Sequence, residues 1–319
     1  MSSCSEGVEE QGCIGQSMKI PGNRFVITGG GGFVGSHLVE GLLGRGADRV
    51  VIYDKAVRAE HLGTLLKDRR IKIVEGDVLD TDGLARALTG ANGVFHLAVL
   101  PLGACEKDPA LAVEVNIRGT FQVAQAAVKA GAGKLIYSSA SSVYGDTLEA
   151  MDEQHPLNPW TMYGVSKLCG EYVLRPFHTT MQYVILRYMN VYGPRQGAGL
   201  IPAVLSKIRA GEPPVINGDG SASFDFVHVR DVARCNIMAM ESEVTGEAFN
   251  VGSGTEATVK EIVTCLLELA GSSLTPRYQL DARVPMTRRV GSSEKAKRLL
   301  GFQAAVSLRD GLAELVRGA

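Results

Sequence analysis

Six short apolar runs, separated by helical patterns, constrain the fold more than any other feature of this sequence. They are RFVITG, RVVIYD, IKIVEGD, GVFHLAV, KLIYSS and YVILRY. Strands that are apolar along nearly their whole length are buried on both faces, which is typical of a parallel sheet covered by helices. The sequence therefore predicts an α/β fold, a doubly wound parallel sheet of the Rossmann type.

After about Asn190 the pattern loosens into Gly- and Pro-rich loops. Helical segments continue there, near 199–211, 230–241, 258–270 and 307–317. This part predicts a smaller C-terminal substrate-binding lobe at the carboxyl edge of the sheet, where open α/β folds bind ligands. We expect three regions with interleaved boundaries: a flexible tail over 1–20, a dinucleotide-binding domain over 21–190 and a mainly substrate-binding lobe over 191–319.

Composition and charge exclude several classes of function. The net charge of -1 and the lack of basic stretches interleaved with aromatics exclude a nucleic-acid surface. No apolar run is long enough to span a membrane, and the first twenty residues lack the apolar core of a secretory signal. The six cysteines are scattered and the histidines show no ligand spacing, so we expect no metal site. Dispersed, reduced cysteines fit a cytoplasmic protein.

A glycine-rich turn follows the first predicted strand and opens an amphipathic helix. In VITGGGGFVGSHL, Gly29, Gly32 and Gly35 form a G-x-x-G-x-x-G run. This arrangement presents backbone N–H groups and a helix N-terminus to an anion, as dinucleotide sites do. We expect Phe33 and Val34, in the first helical turn, to belong to the same cofactor site.

The end of the second strand indicates which dinucleotide binds. Asp54 lies about twenty residues after the glycines, where a carboxylate accepts hydrogen bonds from the adenosine ribose and repels a 2′-phosphate. This favours NAD over NADP, although the neighbouring Lys55 and Arg58 weaken that discrimination. The alternative for Asp54 is a turn residue that caps its strand. Asp77, at the third strand end, fits an adenine contact or a helix N-cap equally well.

Tyr163 and Lys167 lie four residues apart in MYGVSKLCGEYVL, on one face of a predicted helix. A lysine charge beside a phenol lowers the phenol pKa, so the pair can transfer protons. Bringing that pKa from about 10 to about 7 takes roughly 4 kcal/mol, which Lys167 and the positive charge of a bound oxidised nicotinamide can supply together. The alternative is an exposed Tyr and Lys on an ordinary helix. The cofactor motif and the serine-rich run SSASSVYG before the pair favour an active site.

Together these motifs make the chain from Phe25 to Leu315 resemble the extended short-chain dehydrogenase/reductases, specifically the nucleotide-sugar epimerases and dehydratases. The matching segments are TGGGGFVGSHL, the strand-end Asp54, GDV at 76–78, FHLAV at 95–99, VNIRGT at 115–120, SSASSVYG, YGVSK, LRYMNVYGPR at 186–195, DFVHVRDVA at 225–233 and KAKRLLGF at 295–302.

The resemblance implies an NAD-dependent UDP-sugar 4-epimerase. Tyr163, assisted by Lys167, takes the proton of the sugar 4-hydroxyl while carbon 4 gives a hydride to NAD, and the transient 4-keto sugar turns over before the hydride returns. Asn190 is implied to contact the UDP-sugar. The resemblance further implies a homodimer formed through the helices near 109–130 and 160–176. The implied cofactor site also includes Val78, Leu97 and Ala98.

One departure from the family concerns the catalytic hydroxyl. Ala140 stands where the family usually has a Ser or Thr, so we expect a neighbouring serine to supply that hydroxyl, Ser141 before Ser139. Regular strand alternation places both serines on the face opposite Ala140, and a register change at the strand end brings one of them inward. The alternative is that Tyr163 works without a serine.

A second departure concerns the substrate. Ser141 and Ser142 stand where dehydratases and decarboxylases of the family tend to have acidic residues, which favours epimerisation. Two hydroxyl donors near carbon 5 can bind a carboxylate, so the pair UDP-glucuronate and UDP-galacturonate is favoured over UDP-glucose or UDP-N-acetylglucosamine. The serines can instead satisfy backbone groups. A nucleotide-sugar reductase and a non-catalytic NAD or nucleotide-sugar binding module remain as alternatives.

A third departure concerns the diphosphate. Phe224 stands where the family commonly places an arginine that binds this group, and its ring can pack against the uridine instead. Arg195 and Arg283 are the remaining candidates for the diphosphate contact, with an ion-paired surface role as the alternative for each.

Overall fold

The computed structural model describes residues 13–281 and 287–318. Seven strands form its central sheet: β1 (Arg24–Thr28), β2 (Arg49–Asp54), β3 (Ile71–Glu75), β4 (Gly93–His96), β5 (Lys134–Ala140), β6 (Gln182–Tyr188) and β7 (Glu247–Val251). All neighbouring pairs are parallel, in the order β7-β6-β5-β4-β1-β2-β3. The strand order reverses between β1 and β4, which is where doubly wound folds bind ligands. The predicted fold class is confirmed.

Helices cover both faces of this sheet and build most of the C-terminal part. In the described residues they are α1 (Phe33–Gly44), α2 (Ala59–Leu62), α3 (Thr81–Leu88), α4 (Leu102–Lys107), α5 (Pro109–Ala112), α6 (Gly119–Lys129), α7 (Met162–Leu174), α8 (Leu200–Arg209), α9 (Val229–Glu241), α10 (Val259–Leu269), α11 (Glu294–Leu300) and α12 (Leu308–Arg317). The four helices predicted after Asn190 correspond to α8, α9, α10 and α12. Within these ranges no helix has the length and apolarity that a membrane crossing requires.

The apolar runs are continuous because each central strand contributes to two cores. In β1, Phe25 and Ile27 pack with α1 and α9 on one face, while Val26 packs with α3 and α6 on the other. Consecutive strand residues point to opposite faces, so a strand covered on both sides needs apolar side chains at every position.

A smaller sheet forms the centre of the C-terminal lobe. Its main strand, Ser223–His228, is antiparallel to Glu256–Thr258 and parallel to both Asn190–Tyr192 and Arg288–Arg289. Helices α8, α10 and α12 enclose a separate apolar cluster against this sheet. Strand β7 and helix α9 return from this part of the chain to the central sheet, so the two regions are interleaved.

The beginning of the described chain differs from the predicted flexible tail. Cys13–Ile14 pairs antiparallel with Val244–Thr245, and Ile20 is completely buried. Backbone pairing and an apolar anchor therefore attach residues 13–20 to the fold, which begins before residue 21.

Candidate active site

The glycine turn, Gly29–Gly35, joins β1 to α1 at the carboxyl edge of the sheet. Gly29 has φ 73°, and a Cβ atom there would lie 2.7 Å from the backbone nitrogen of Ala98. A Cβ atom at Gly35 would lie 2.5 Å from the carbonyl oxygen of Gly29. None of the described side chains caps the start of α1, so its first amides remain available to an anion. A close backbone approach beside free helix amides fits the diphosphate of a dinucleotide.

The other residues predicted for the cofactor lie around this turn. Leu97 and Ala98 follow β4 and contact Gly29 directly. Phe33 and Val34 form the first turn of α1. Val78 is buried between β3 and α3, against Gly119 of α6.

Asp54 supports the glycine turn with its carboxylate. Oδ2 accepts a hydrogen bond from the amide of Gly31 at 2.9 Å, and Oδ1 accepts one from the amide of Ala56 at 3.1 Å. A carboxylate has about four acceptor positions, so two remain for a ribose. Asp54 therefore does act as a turn residue, as the alternative predicted. Its remaining acceptor positions still allow the predicted contact with the cofactor ribose.

Lys55 and Asp77 lie on the exposed side of this region and pair with each other at 3.0 Å. Asp77 also accepts a hydrogen bond from the amide of Leu79 at 3.0 Å. The N-cap of α3 is Asp80, whose side chain accepts from the amides of Asp82 and Gly83. Asp77 is therefore a loop residue, and the helix-cap alternative for it was wrong.

Tyr163 and Lys167 lie in the first half of α7, on the face that packs against β5. The hydroxyl of Thr161 starts this helix by accepting a hydrogen bond from the amide of Gly164 at 3.0 Å. The Lys167 Nζ atom donates to the carbonyl oxygen of Ser138 at 2.6 Å and lies 6.0 Å from the centre of the Tyr163 ring. One helix face thus brings both side chains to the end of β5.

Burial dominates the pKa values of both groups. It raises the pKa of Tyr163 to about 12, and the positive charge of Arg289 opposes this shift. It lowers the pKa of Lys167 to about 7, against the influence of Cys105 and Glu171. The sequence predicted that Lys167 lowers the phenol pKa. In the protein alone the Tyr163 pKa is instead raised, because desolvation disfavours the charged form of the phenol.

A cavity of about 370 Å³ lies beside Tyr163. Leu200, Ile201, Phe224 and Phe226 give its wall an apolar part. Four polar atoms of lining residues are buried without a hydrogen-bond partner among residues 13–281 and 287–318: Ser142 Oγ, Asn190 Nδ2, Gln196 Oε1 and Arg289 Nε. Each unpaired buried polar atom costs about 1–3 kcal/mol, so this wall is built for a polar ligand.

The serine-rich run divides at the end of β5. The strand ends at Ala140 and a 3-10 turn begins at Ser141, so Ala140, Ser141 and Ser142 all line the cavity. Ser139 lies within the protein, where its hydroxyl donates to Glu171 Oε1 at 2.5 Å. Of the two serines considered for the missing hydroxyl, Ser141 is the one on the cavity wall.

The predicted diphosphate ligands are not brought to this cavity in the described chain. Arg195 donates to Ser36 Oγ at 3.1 Å and pairs with Glu40 of α1, which connects the loop after Tyr192 to the cofactor helix. Arg283 lies outside the described residues. Phe224 lines the cavity, and its ring meets the edge of Phe226 with centres 6.1 Å apart.

Two residues of the site were not anticipated from the sequence. Asn116, in the π-helical stretch Val113–Arg118, donates to Ser166 Oγ at 2.9 Å and accepts from the amide of Leu100 at 2.7 Å, joining α7 to the loop after β4. Interruptions of this kind often mark functional sites but leave no clear sequence pattern. Arg289 could have been noticed in the sequence, because it directly follows another arginine and consecutive strand residues point to opposite faces.

Comparison with known proteins gives a consistent set of similarities. Residues 25–252 match the NAD dependent epimerase/dehydratase family. UDP-glucose 4-epimerase of Mycolicibacterium smegmatis is 32% identical over 309 residues, covering 92% of this chain and 97% of that protein.

Two solved structures from the same comparison have different substrates. UDP-glucuronic acid 4-epimerase from Bacillus cereus, in complex with UDP-glucuronic acid and NAD, superposes with a TM-score of 0.86 at 31% identity, covering 92% of this chain and 98% of its own. DesIV, a dTDP-glucose 4,6-dehydratase from Streptomyces venezuelae with NAD bound, gives 0.85 at 32% identity, with 92% and 96% covered. Overall similarity to these two structures does not distinguish epimerisation from dehydration. The distinction therefore depends on the residues of the site.

The lowered pKa of Lys167 predicts a pH-dependent stability. Between pH 7 and pH 10.5, the unfolded chain holds a proton that native Lys167 lacks, so this residue's contribution to the unfolding free energy rises with pH. The rise is at most about 1.4 kcal/mol per pH unit. In urea unfolding, we expect wild type to gain stability over Lys167→Met from pH 7 to pH 10. If the difference in unfolding free energy between wild type and Lys167→Met did not change with pH, Lys167 would not be the buried, readily deprotonated group described here.

The position of Ser141 predicts a catalytic effect that Ser139 lacks. Ser141→Ala should lower kcat at least tenfold, because a positioned proton-transfer group is worth roughly 10²–10⁴ in rate. Ser139→Ala, the control, removes a bond to Glu171 and should cost less kcat, with a change in thermal stability instead. Ala140→Ser should be tolerated or mildly activating. Full activity in both alanine variants would show that Tyr163 needs no serine.

Proposed function

Because the chain belongs to the NAD-dependent epimerase/dehydratase family, as its motifs predicted, we propose that it is a UDP-sugar 4-epimerase acting through a transient 4-keto sugar. The observation that carries this proposal is the cavity itself. Tyr163 lines it together with the four unpartnered polar atoms, and the glycine turn that fits the family's cofactor, NAD, lies at the same edge of the sheet.

The chain's own residues account for the proton transfers. The glycine turn would hold NAD, which would supply the acceptor for the hydride of carbon 4 and the donor that returns it. Tyr163 takes the proton of the 4-hydroxyl and later gives it back, while protonated Lys167 stabilises the phenolate form. Ser141 is positioned to hydrogen-bond the same hydroxyl. Rotation of the 4-keto sugar in the cavity presents its other face, so there is no net oxidation.

Within this function we favour the pair UDP-glucuronate and UDP-galacturonate. Ser142 Oγ and Asn190 Nδ2 are buried in the wall of the cavity that Ser141 also lines, and neither has a partner in the described part of the chain. A carboxylate on carbon 5 forms stronger hydrogen bonds with such donors than a hydroxymethyl group does. UDP-glucose and UDP-N-acetylglucosamine remain the alternatives, because their hydroxyl and amide groups can also use these donors.

The reaction is tested by NMR of the purified protein with UDP-glucuronate, UDP-glucose and UDP-N-acetylglucosamine, without added reductant. We expect wild type to form a 4-epimer. Tyr163→Phe should abolish turnover with the NAD content unchanged, because the base is lost and the glycine turn is untouched. Turnover near the wild-type rate in this variant would sink the assignment of the base. Stoichiometric consumption of NADH would indicate a reductase instead.

The substrate preference is tested by the same assay in its kinetic form. We expect kcat/KM to be higher for UDP-glucuronate than for UDP-glucose, and Ser142→Ala to reduce the first value more than the second. A wild-type preference for the neutral sugar would show that the carboxylate argument is wrong. Release of carbon dioxide with a pentose product would identify a decarboxylase.

We also propose that the protein is a homodimer formed through α6, α7 and the stretch before α6. Exposed large apolar side chains recur on this surface: Leu111, Val113, Phe121, Val165 and Tyr172, each 37–45% exposed. Burying apolar surface is favourable by about 25 cal/mol per Å², and clustered exposed apolar groups mark interaction sites.

The dimer is tested by light scattering during size-exclusion chromatography. The double variant Phe121→Asp with Tyr172→Asp should be monomeric, because burying two carboxylates in an apolar interface is unfavourable. Leu280→Asp is the control, since Leu280 is 71% exposed outside this surface. A wild-type protein that stays monomeric at high concentration would contradict the proposal.

A further inference from the structure

Arg289 is a half-buried cation on the cavity wall without an ion-pair partner in the described part of the chain. Its Nη2 atom donates to the carbonyl oxygen of Gly145 at 3.2 Å, and its Nε atom has no partner. We propose that Arg289 binds the carboxylate of the sugar and thereby determines the preference for a uronate. This inference rests on the proposed function.

The first argument is the cost of withdrawing much of a guanidinium from solvent without an ion-pair partner. Burial lowers the pKa of Arg289 to about 10, against the influence of Asp146 and Tyr163, so the group stays charged at neutral pH. A buried charge is costly unless it is paired and hydrogen-bonded. The planar guanidinium fork matches the two oxygens of a carboxylate, so an anionic ligand here relieves a cost that a neutral ligand leaves in place.

The second argument locates this charge along the substrate. A UDP-uronate carries two kinds of anion, the diphosphate and the carboxylate. The main chain of Arg289 lies beside Phe224 in the sheet register, and its side chain reaches Gly145, three residues beyond Ser142. Its charge also acts on the Tyr163 phenol.

These contacts place the guanidinium at the reacting end of the cavity. Carbon 5, which carries the carboxylate, is bonded directly to carbon 4, whose hydroxyl meets Tyr163. Ser142 Oγ, with no partner of its own, lines the same cavity. The carboxylate is therefore the anion that meets Arg289, with Ser142 as a second donor.

The test compares Arg289→Gln with Arg288→Gln as the matched control. Arg288 is the next residue in the chain, yet it pairs with Glu256 and donates to the carbonyl oxygen of Leu148, away from the cavity. We measure kcat/KM for UDP-glucuronate and UDP-glucose, and Kd for UDP by calorimetry. Arg289→Gln should lower the UDP-glucuronate value about 10- to 100-fold, as expected for a charge-assisted bond, with less than about threefold change for UDP-glucose.

The other outcomes separate the possible anions. The UDP affinity should stay unchanged, Arg289→Lys should recover part of the uronate activity, and Arg288→Gln should behave as wild type. An equal loss for both sugars and for UDP would assign Arg289 to the diphosphate and overturn the proposal. Unchanged kinetics with both sugars would also overturn it.

Binding data keep the inference independent of catalysis and of folding defects. If no sugar is epimerised, the proposed function fails, and calorimetry of UDP-glucuronate against UDP still decides whether Arg289→Gln removes a carboxylate contact. If Arg289→Gln does not fold, wild-type calorimetry decides. Tighter binding of UDP-glucuronate than of UDP-glucose, weakening with salt, supports the proposal, and equal affinities overturn it.

Discussion

A buried ion pair between Arg187 of β6 and Glu171 fixes α7, the helix that carries Tyr163 and Lys167. The two side chains are 5% and 3% exposed, and Arg187 Nε and Nη2 reach the two Glu171 oxygens at 3.0 and 2.7 Å. Ser139 adds a bond to Glu171, and Arg187 adds one to the Tyr144 hydroxyl at 2.9 Å. Helix α7 is thereby fixed to β5, to β6 and to the 3-10 turn. Removing one partner of such a pair typically costs about 3–5 kcal/mol.

The cavity keeps its shape because buried polar groups also join the two regions of the chain. Asn250 of β7 accepts from the Tyr144 hydroxyl at 2.8 Å and donates to the carbonyl oxygen of Met151 at 3.0 Å. Asp225, in the main strand of the small lobe, accepts from the amide and hydroxyl of Ser253 after β7. These bonds oppose the effect of burial, which raises the Asp225 pKa. The ends of strands from both regions therefore form the cavity walls, and these hydrogen bonds connect the strands to each other.

Local patterns in the sequence predicted the features that depend on local physics. Apolar strand runs gave the sheet, and the spacing of Tyr163 and Lys167 gave their common helix face. Features set by distant contacts were not predictable: Ser139 is bound by Glu171, 32 residues away, and Arg289 enters the site through strand pairing with Phe224. The raised Tyr163 pKa in the protein alone was not predictable for the same reason, because burial is a property of the whole fold.

The distribution of charge around Tyr163 connects substrate choice to catalysis. In the protein alone, burial has the largest effect on the phenol pKa and the opposing charge of Arg289 has a smaller one, so Arg289 contributes little to the base when a neutral sugar is bound. If Arg289 binds the carboxylate as proposed, a bound uronate offsets most of that influence. The same carboxylate in a low-dielectric cavity favours the protonated form of Lys167, whose pKa burial has lowered to about 7. A uronate thus weakens one activating charge and strengthens the other.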